Sequence, residues 1–389
     1  MKKVTRTAKE REIQKHVELA RHLRALESKE HALSRRRATS VMQKHAKGKV
    51  ADPNEVRRGE VTDTGHEVVT LPATLDLVSH FEETAAVVRA IRRITLREKR
   101  SLLLDFTNVR SVKPSALLLL LAEIHRGRLI HGRSRLTGTY PKDPRIERML
   151  DAIGFFKLLG VKSRVINTIR KFPMEYVGFH SDIREVKGTV RRFRESLLGT
   201  TILMSTQARI RLYRAVSEAM LNVGHHAYPV GTSRTHPERG RWWLTGHVNK
   251  KTGELTVMFC DLGVGIAETL PKIQTMELIM AVLSLIPGVK PNDAEMIKAG
   301  MEIGRTSTGK DGRGRGLNDL RKFVEDVGAG ELHIFSRKGH FTYSPQTGER
   351  ISNYRIGMGG TLITWTVPIA SVTNWRPEGI EDNGHETDD

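Results

Sequence analysis

The sequence predicts an α/β protein with a basic helical arm at its N-terminus. Three observations support this fold class. Hydrophobic residues make up 38% of the 389 residues and charged residues 28%, a composition that can bury a core. From residue 67 onward, short apolar runs alternate with segments whose apolar residues have helical spacing. Two glycine-rich segments lie in the second half, one after a strand pattern and one before a helix pattern.

Residues 1–62 form the predicted arm and its linker. Apolar residues between Glu12 and Leu33 recur at roughly helical spacing, and residues 1–60 carry a net charge of +9. Pro53 marks the linker that follows the helical part. Three interpretations stay open for the arm: a solvated helix, a nucleic-acid contact, or a helix that binds a partner or a second copy in a homodimer.

The charge distribution indicates anionic partners. The chain carries a net charge of +20, and only the tail, residues 371–389, is predominantly acidic. A field of this sign attracts nucleotides, nucleic acids and acidic proteins without distinguishing between them. No apolar run reaches the ~20 residues that a membrane helix needs. The single cysteine, Cys260, cannot form an internal disulfide. We therefore expect a cytoplasmic protein without membrane contact.

Residues 63–168 show the first alternation of strands and helices. Residues 101–106 are largely apolar, which is typical of a strand buried on both faces. Pro114 opens the longest helix because its fixed φ suits a first turn. The predicted strands are Glu67–Leu71, Ser101–Phe106 and Arg135–Thr139, and the predicted helices are Leu75–Ile94, Ser115–Arg126 and Pro144–Ala152.

The segment LLLDFTNVRSVKPSALLLLLAEIHR, residues 102–126, resembles the core of a STAS domain, the fold of the anti-anti-sigma factors. It has a strand ending in an aspartate, a short loop, and a helix that opens with a serine. Ser115 falls where the phosphorylated serine of that family lies. Lys113 and Pro114 precede it and Ala116 follows, whereas the family has an acidic or small residue before the serine and a glycine after it. We therefore expect the Ser115 side chain to make a hydrogen bond with the backbone at the helix start rather than to accept a phosphoryl group.

The segment YRAVSEAMLNVGHHAY, Tyr213–Tyr228, predicts a helix with one buried face. Glu218, Asn222 and His226 recur every four residues and therefore share one face of that helix. Glutamate and asparagine supply hard oxygen ligands, which suit a Mg²⁺ ion that also holds phosphates. Three exposed polar residues on a surface helix are the alternative interpretation.

The predicted strand Glu254–Cys260 runs directly into Asp261, and the next four residues are LGVG. An aspartate at a strand end can accept a hydrogen bond from an exocyclic amine. Gly263 and Gly265 let the backbone approach a flat base closely. A turn without a ligand is the alternative interpretation.

The second glycine-rich segment precedes a helix predicted over Asn318–Val327. Glycines before a helix start expose backbone N–H groups to an anion, and basic side chains among them can contact phosphates. The candidate phosphate-binding residues are Lys310, Gly312, Arg313, Gly314, Arg315, Gly316 and Leu317. A flexible basic loop is the alternative, and a Walker P-loop is excluded because GxxxxGK[ST] is absent here.

In this order and spacing the segments resemble the Bergerat-fold ATPases of the GHKL superfamily, which include gyrase B, heat-shock ATPases, histidine kinases and mismatch-repair ATPases. The N-box matches at Glu218 and Asn222, the adenine motif begins at Asp261, and the glycines of residues 312–316 match the lid-end motif. A fourth motif, GGTLITW, matches the last strand, whose threonine is Thr361 in this chain. The resemblance covers about residues 175–368, and NVGHHAY is most similar to the anti-sigma-factor serine kinases.

The resemblance implies a Bergerat-fold α/β sandwich over residues 169–370 that binds ATP and Mg²⁺. Asp261 would then hold the adenine and Asn222 the Mg²⁺. Glu218 would orient or deprotonate the attacking water or hydroxyl. His226 either positions phosphates or packs. Residues 266–313 would form a lid that closes over the γ-phosphate.

Three functions are compatible with these expectations. The first is a nucleotide-dependent switch or serine/threonine kinase of the anti-sigma type, which acts on a STAS-like or acidic protein partner. The second is an ATP-hydrolysing machine that dimerises on ATP, as gyrase B does. The third is a nucleic-acid-binding protein that senses ATP, which the basic arm favours. A sensor histidine kinase is disfavoured because neither His66 nor His80 begins the phospho-acceptor pattern of that class.

Overall fold

The computed structural model describes most of the chain after residue 60. The described residues are 61–62, 65–131, 135–165, 174–183, 188, 192–193, 195–196, 204–229, 240–285, 289–306 and 316–373. They belong to one compact unit, Val56–Asp389. The basic arm up to residue 60 and the acidic tail beyond residue 373 lie outside the described residues. The described part is mixed α/β, as predicted, and none of its helices is long and apolar enough to cross a membrane.

A parallel sheet of three strands forms the first α/β part. Its order is β1–β3–β5, and two further short strands, β2 and β4, form a separate parallel pair. Parallel strands need crossover connections, which helices provide. The strands are β1 His66–Thr70, β2 Thr74–Leu75, β3 Ser101–Asp105, β4 Ser111–Val112 and β5 Leu136–Gly138. The helices are α1 Phe81–Arg92, extended by a π-helical turn Arg93–Arg97, α2 Pro114–His131, α3 Pro144–Ile153 and α4 Phe155–Leu159.

The first helix begins six residues later than the sequence predicts. The Asp76 carboxylate accepts a hydrogen bond from the Val78 N–H (2.8 Å) and another from the Ser79 hydroxyl (2.6 Å). These bonds hold the chain in a turn after β2, because an aspartate that bonds its own downstream backbone competes with a helical conformation. The apolar residues from Leu75 to Leu77 therefore pack in the core as part of a strand and a turn, and the helix starts at Phe81.

An antiparallel sheet of seven strands forms the second α/β part. Its order is β11–β10–β9–β12–β8–β7–β6. The strands are β6 Met174–Asp182, β7 Trp242–Asn249, β8 Glu254–Asp261, β9 Glu331–Ser336, β10 Gly339–Ser344, β11 Gly348–Asn353 and β12 Thr361–Pro368. The helices are α5 Thr206–Asn222, followed by a π-helical turn Val223–Ala227, α6 Ile266–Ile273, α7 Met276–Val282, α8 Asp293–Thr306, α9 Gly316–Val327 and α10 Ile369–Thr373.

Helix α2 is buried against both sheets. Its residues 116–122 are all fully buried. Apolar side chains surround the helix axis instead of forming one stripe, which is the pattern of a helix with no solvent face. On one side α2 packs in the core of the parallel sheet, and on the other it contacts β7, β8 and β12. Trp243, Met258 and Cys260 of the large sheet belong to the same core as α2.

Polar contacts also join the two α/β parts. The buried Glu123 carboxylate of α2 accepts hydrogen bonds from Arg92 and Arg126, and Arg92 also donates to the Met358 carbonyl (2.9 Å). The Phe81 and Tyr354 rings stack with centroids 3.9 Å apart. A buried carboxylate that loses its partners costs about 3–5 kcal/mol. The arginines around Glu123 therefore stabilise the junction that the apolar core forms.

Candidate functional site

Helix α5 carries the first group of candidate site residues. Ser205 caps it by accepting a hydrogen bond from the Ala208 N–H (3.2 Å), and its apolar residues join the core between α9 and the large sheet. The sequence predicts one helix up to Tyr228, but α5 ends at Asn222 and continues as a π-helical turn. Half-buried His226 lies in this turn, beyond the α-helix that holds Glu218 and Asn222.

Glu218 lies in an environment that favours its neutral form. Burial raises the pKa of its carboxyl, and the negative charge of Asp319 raises it further. Asn222 and His225 act in the opposite direction without cancelling the increase. Asp319 stands in the first turn of α9, which packs along α5. Asp319 is not among the site residues predicted from the sequence, although an acidic residue at a helix start just after a glycine-rich segment is a recognisable signal.

Asn222 is compatible with a role as a ligand. Its amide nitrogen is buried and makes no hydrogen bond within the described part of the chain, although it lies close enough to Glu218 to favour the carboxylate. No group of three or more His, Cys, Asp or Glu residues that could hold a metal occurs among the described residues. An amide oxygen is among the ligands that Mg²⁺ takes together with phosphates and water.

Asp261 is the last residue of β8 and is buried between two neighbouring strands. It lies opposite Trp242 of β7 and Thr361 of β12. One carboxylate oxygen accepts a hydrogen bond from the Gly263 N–H (2.8 Å). Burial raises the pKa of this carboxyl to about 7, although hydrogen bonds from Gly263 and Thr361 oppose the increase. A carboxylate in such a place can accept a strong, specific hydrogen bond from a ligand N–H group.

The loop after Asp261 is attached to the end of the π-helical turn. The Val264 N–H donates to the Ala227 carbonyl (2.9 Å), and the Leu262 N–H donates to the Tyr228 hydroxyl (3.2 Å). A Cβ atom on Gly263 would overlap the Ala227 carbonyl oxygen. The glycine therefore has a structural requirement independent of any ligand, because two segments of backbone touch at this point. This contact brings the N-box segment and the predicted adenine segment together.

Strand β12 completes this group through Thr361. The Ser336 hydroxyl lies 3.2 Å from the Thr361 hydroxyl and accepts a hydrogen bond from the Ile266 N–H (2.9 Å) at the start of α6. Gly265, with φ +85°, adopts a conformation that other residues rarely take, and a Cβ there would press on Ser336. No pattern in the sequence marks Ser336, since it acts through residues far away in the chain.

The glycine-rich segment before α9 is only partly described. Gly316 begins α9, and Leu317 packs at the edge of the core that α5 and the large sheet share. The remaining candidates lie outside the described residues: Lys310, Gly312, Arg313, Gly314 and Arg315. The predicted lid, residues 266–313, contains α6, α7 and α8. The start of α9 lies near Glu218, since the charge of Asp319 in its first turn acts on the Glu218 carboxyl.

No protein-family model matches this sequence, and no curated protein matches it.

Proposed function

We propose that this protein binds ATP with Mg²⁺ and acts as a nucleotide-dependent switch or serine/threonine kinase on a protein partner. The proposed architecture is a STAS-like part, residues 63–168, joined to a Bergerat-fold ATP-binding part, residues 169–370. One observation carries the proposal: three segments far apart in the chain, namely the end of the π-helical turn that follows α5, the loop after Asp261 and the start of β12, are joined by direct hydrogen bonds.

The residues of this group suit two different parts of a nucleotide, the adenine and the phosphates. Asp261, with Thr361 beside it, offers a buried acceptor for the exocyclic amine of adenine. Asn222 would hold the Mg²⁺ ion, which would neutralise charge on the phosphates when bound. Glu218 is a stronger base than an ordinary glutamate because burial and Asp319 raise its pKa. It can therefore accept a proton from a hydroxyl that approaches the phosphates.

The raised pKa of Glu218 also favours a second candidate function, ATP hydrolysis coupled to a conformational change. The same base accepts a proton from a water molecule in hydrolysis and from a side-chain hydroxyl in a kinase reaction. The two functions differ in what receives the phosphoryl group. They are therefore separated by following that group rather than by measuring nucleotide affinity.

Titration calorimetry with ATP, with and without Mg²⁺, tests the binding site. We expect the wild-type chain to bind ATP more tightly when Mg²⁺ is present, and Asn222→Ala to lose this dependence. Asn108→Ala is the matched control, since Asn108 is exposed in the loop after β3. An Asn222→Ala protein with unchanged Mg²⁺ dependence would show that the N-box role is wrong, and a wild-type chain that binds no ATP would refute the proposal.

ATP labelled at the γ-phosphate separates kinase from ATPase. The chain is incubated alone and in a lysate heated to inactivate other kinases. Label on protein indicates a kinase, and label released as phosphate indicates an ATPase. Glu218→Gln should suppress either product, whereas Glu83→Gln, a change at an exposed glutamate of α1, should leave it unchanged. If the chain binds ATP but yields neither labelled protein nor labelled phosphate, the result indicates a switch that acts by nucleotide binding alone.

A further inference from the structure

A cavity of about 510 Å³ lies between α2, the turn that joins α3 to α4, and β6, the edge strand of the large sheet. It thus lies at the junction of the two α/β parts, and none of the residues proposed for ATP lines it. Cavities of this size accept small organic ligands, and junctions between folded parts are common places for them. Its wall is largely apolar and includes Leu129, Ile153, Leu158 and Phe179.

His125 of α2 lines this cavity and is held by a hydrogen bond to the large sheet. Its Nδ1 accepts a hydrogen bond from the Trp243 indole N–H of β7 (2.9 Å). A ring that accepts at Nδ1 carries its proton on Nε2 when neutral. Burial and the charges of Arg241 and Arg128 lower the pKa of His125 to about 4, so the ring is neutral at pH 7. The Nε2–H group is what this side chain can offer to a ligand.

Two cationic residues give the cavity a positive potential. Lys157 of α4 is exposed, and it has no carboxylate partner among the residues that the structure describes. The Arg128 guanidinium donates to the carbonyls of Lys157 (2.7 Å) and Leu158, which fixes its charge at the cavity edge. The described lining contains no acidic side chain. An anion entering the cavity therefore meets attraction without a compensating repulsion.

We propose that this cavity binds a small amphipathic carboxylate. The alkyl or aryl body lies against Leu129, Ile153 and Phe179, and the carboxylate accepts a hydrogen bond from His125 Nε2 and pairs with Lys157. A monoanion fits the donor set better than a phosphate ester, which needs more donors to balance its charge. The ligand contacts both α/β parts at once, because β6 belongs to the large sheet and α2 and α4 to the STAS-like part.

Titration calorimetry on the full chain with octanoate and 1-naphthylacetate tests the proposal, with 1-octanol as the uncharged match for octanoate. We expect one carboxylate site per chain. Octanol should bind at least about tenfold more weakly than octanoate, since the alcohol lacks the charge-assisted contacts. Lys157→Glu should weaken carboxylate binding by about tenfold or more. Lys162→Glu makes the same change of charge on an exposed residue that does not line the cavity, and should leave affinity within about twofold.

Gly178→Leu tests the cavity itself. Gly178 lines the cavity, its φ is not positive, and an added Cβ meets no atom within 4 Å, so the variant should fold while its side chain occupies the cavity. We expect wild-type thermal stability and no carboxylate binding. A second readout is the NMR resonance of the Trp243 indole N–H, which is assigned by its loss in Trp243→Phe. In the wild-type protein this resonance should shift when a carboxylate accepts a hydrogen bond from His125 Nε2.

Four results would overturn the proposal. They are no binding of either carboxylate up to about 5 mM, equal affinity for octanoate and octanol, equal weakening by Lys157→Glu and Lys162→Glu, or unchanged binding to a folded Gly178→Leu protein. The first rejects the ligand class, the next two reject recognition of its charge, and the last rejects the location. None of them depends on ATP binding, so the proposal stands or falls separately from the proposed nucleotide site.

Discussion

Asp261 has two properties that oppose each other in the protein without nucleotide. The proposed contact with adenine needs its carboxylate as a hydrogen-bond acceptor, yet burial raises the pKa of this group from an ordinary 3.8 to about 7. Between these values the unfolded chain ionises this group while the folded chain keeps it protonated. Stability therefore falls as the pH rises from about 4 to 7, and the penalty above pH 7 amounts to roughly 4 kcal/mol, at about 1.4 kcal/mol per pKa unit.

We predict that Asp261→Asn removes this penalty and weakens ATP binding. Asparagine does not ionise, so the variant should gain stability relative to wild type as the pH rises from 5 to 8, in urea denaturation at each pH. Buried His247 and His340 have lowered pKa values and change stability in the opposite direction below pH 6.5, but they are common to both proteins and cancel in the difference.

ATP affinity of the same variant should fall about tenfold or more, because a charge-assisted hydrogen bond contributes about 1.5–3 kcal/mol. Asp151→Asn is the matched control and should change neither quantity, since Asp151 is half-buried in α3 and is not one of the residues proposed for ATP. Equal affinity of wild type and Asp261→Asn would remove Asp261 from the adenine site. A stability difference that does not depend on pH would contradict the buried, protonated carboxyl.

Gly263 is required by the fold itself, whether or not a ligand is bound. We predict that Gly263→Ala destabilises the protein without ATP by about 2 kcal/mol or more, because the new methyl group overlaps the Ala227 carbonyl and the backbone must move. Gly224→Ala is the control, since an added Cβ at this exposed glycine meets no atom within 4 Å. Thermal denaturation compares them, and equal melting temperatures would contradict the Gly263–Ala227 contact.

At the scale of elements, α2 differs most from an ordinary surface helix. Its sequence, PSALLLLLAEIHRGRLIH, has no polar stripe, and both of its sides are covered by sheets. The apolar run by itself predicts a buried helix or a strand but does not say what covers it. Glu123 and Arg126 are three residues apart within this buried helix, and with Arg92 they form the ion pairs of the junction.

The start of α2 carries the prediction about Ser115. Ser115 is half-buried in the first turn, after Lys113 and Pro114. A phosphate there would gain from the helix N-terminus, but the residues around it do not match those of the phosphorylated family members. We expect only a minor fraction of chains to carry phosphate at Ser115 after incubation with ATP and Mg²⁺. Intact-mass spectrometry measures this fraction, with Ser115→Ala as the blank, and a majority of modified chains would refute the expectation.

At the scale of the whole molecule, the two α/β parts depend on a shared core. Fully buried Trp243, Met258, Cys260 and Leu362 of the large sheet pack with α2 in that core. We predict that residues 169–389 expressed alone are aggregation-prone, because the sheet face that α2 covers would be exposed to water. Co-expression with residues 1–168 should restore solubility, and soluble yield with dye binding to exposed apolar surface measures both. A stable, soluble fragment that binds no such dye would contradict the shared core.

The sequence by itself determined the α/β class, the existence of most of the elements named from it, and the order of the four motifs. These features follow from local rules, since periodicity, proline at a helix start and glycine in a turn act within a few residues. The strand ending at Asp261 and the helix of Glu218 and Asn222 are recognisable for that reason. The predicted ends of the elements were less accurate. Hydrogen bonds to Asp76 hold a turn where the sequence predicts the start of α1, and a π-helical turn replaces the last turn predicted for α5.

Only the tertiary structure decided what these local pieces touch. The bond from Trp243 to His125, the Arg92 bond to the Met358 carbonyl and the contact of Gly263 with Ala227 join residues that are 118, 266 and 36 positions apart. Such contacts depend on how whole elements pack, and no short stretch of sequence contains both partners. The burial that raises the pKa of Asp261 and the cavity beside His125 have the same origin, because each is formed by elements from separate parts of the chain.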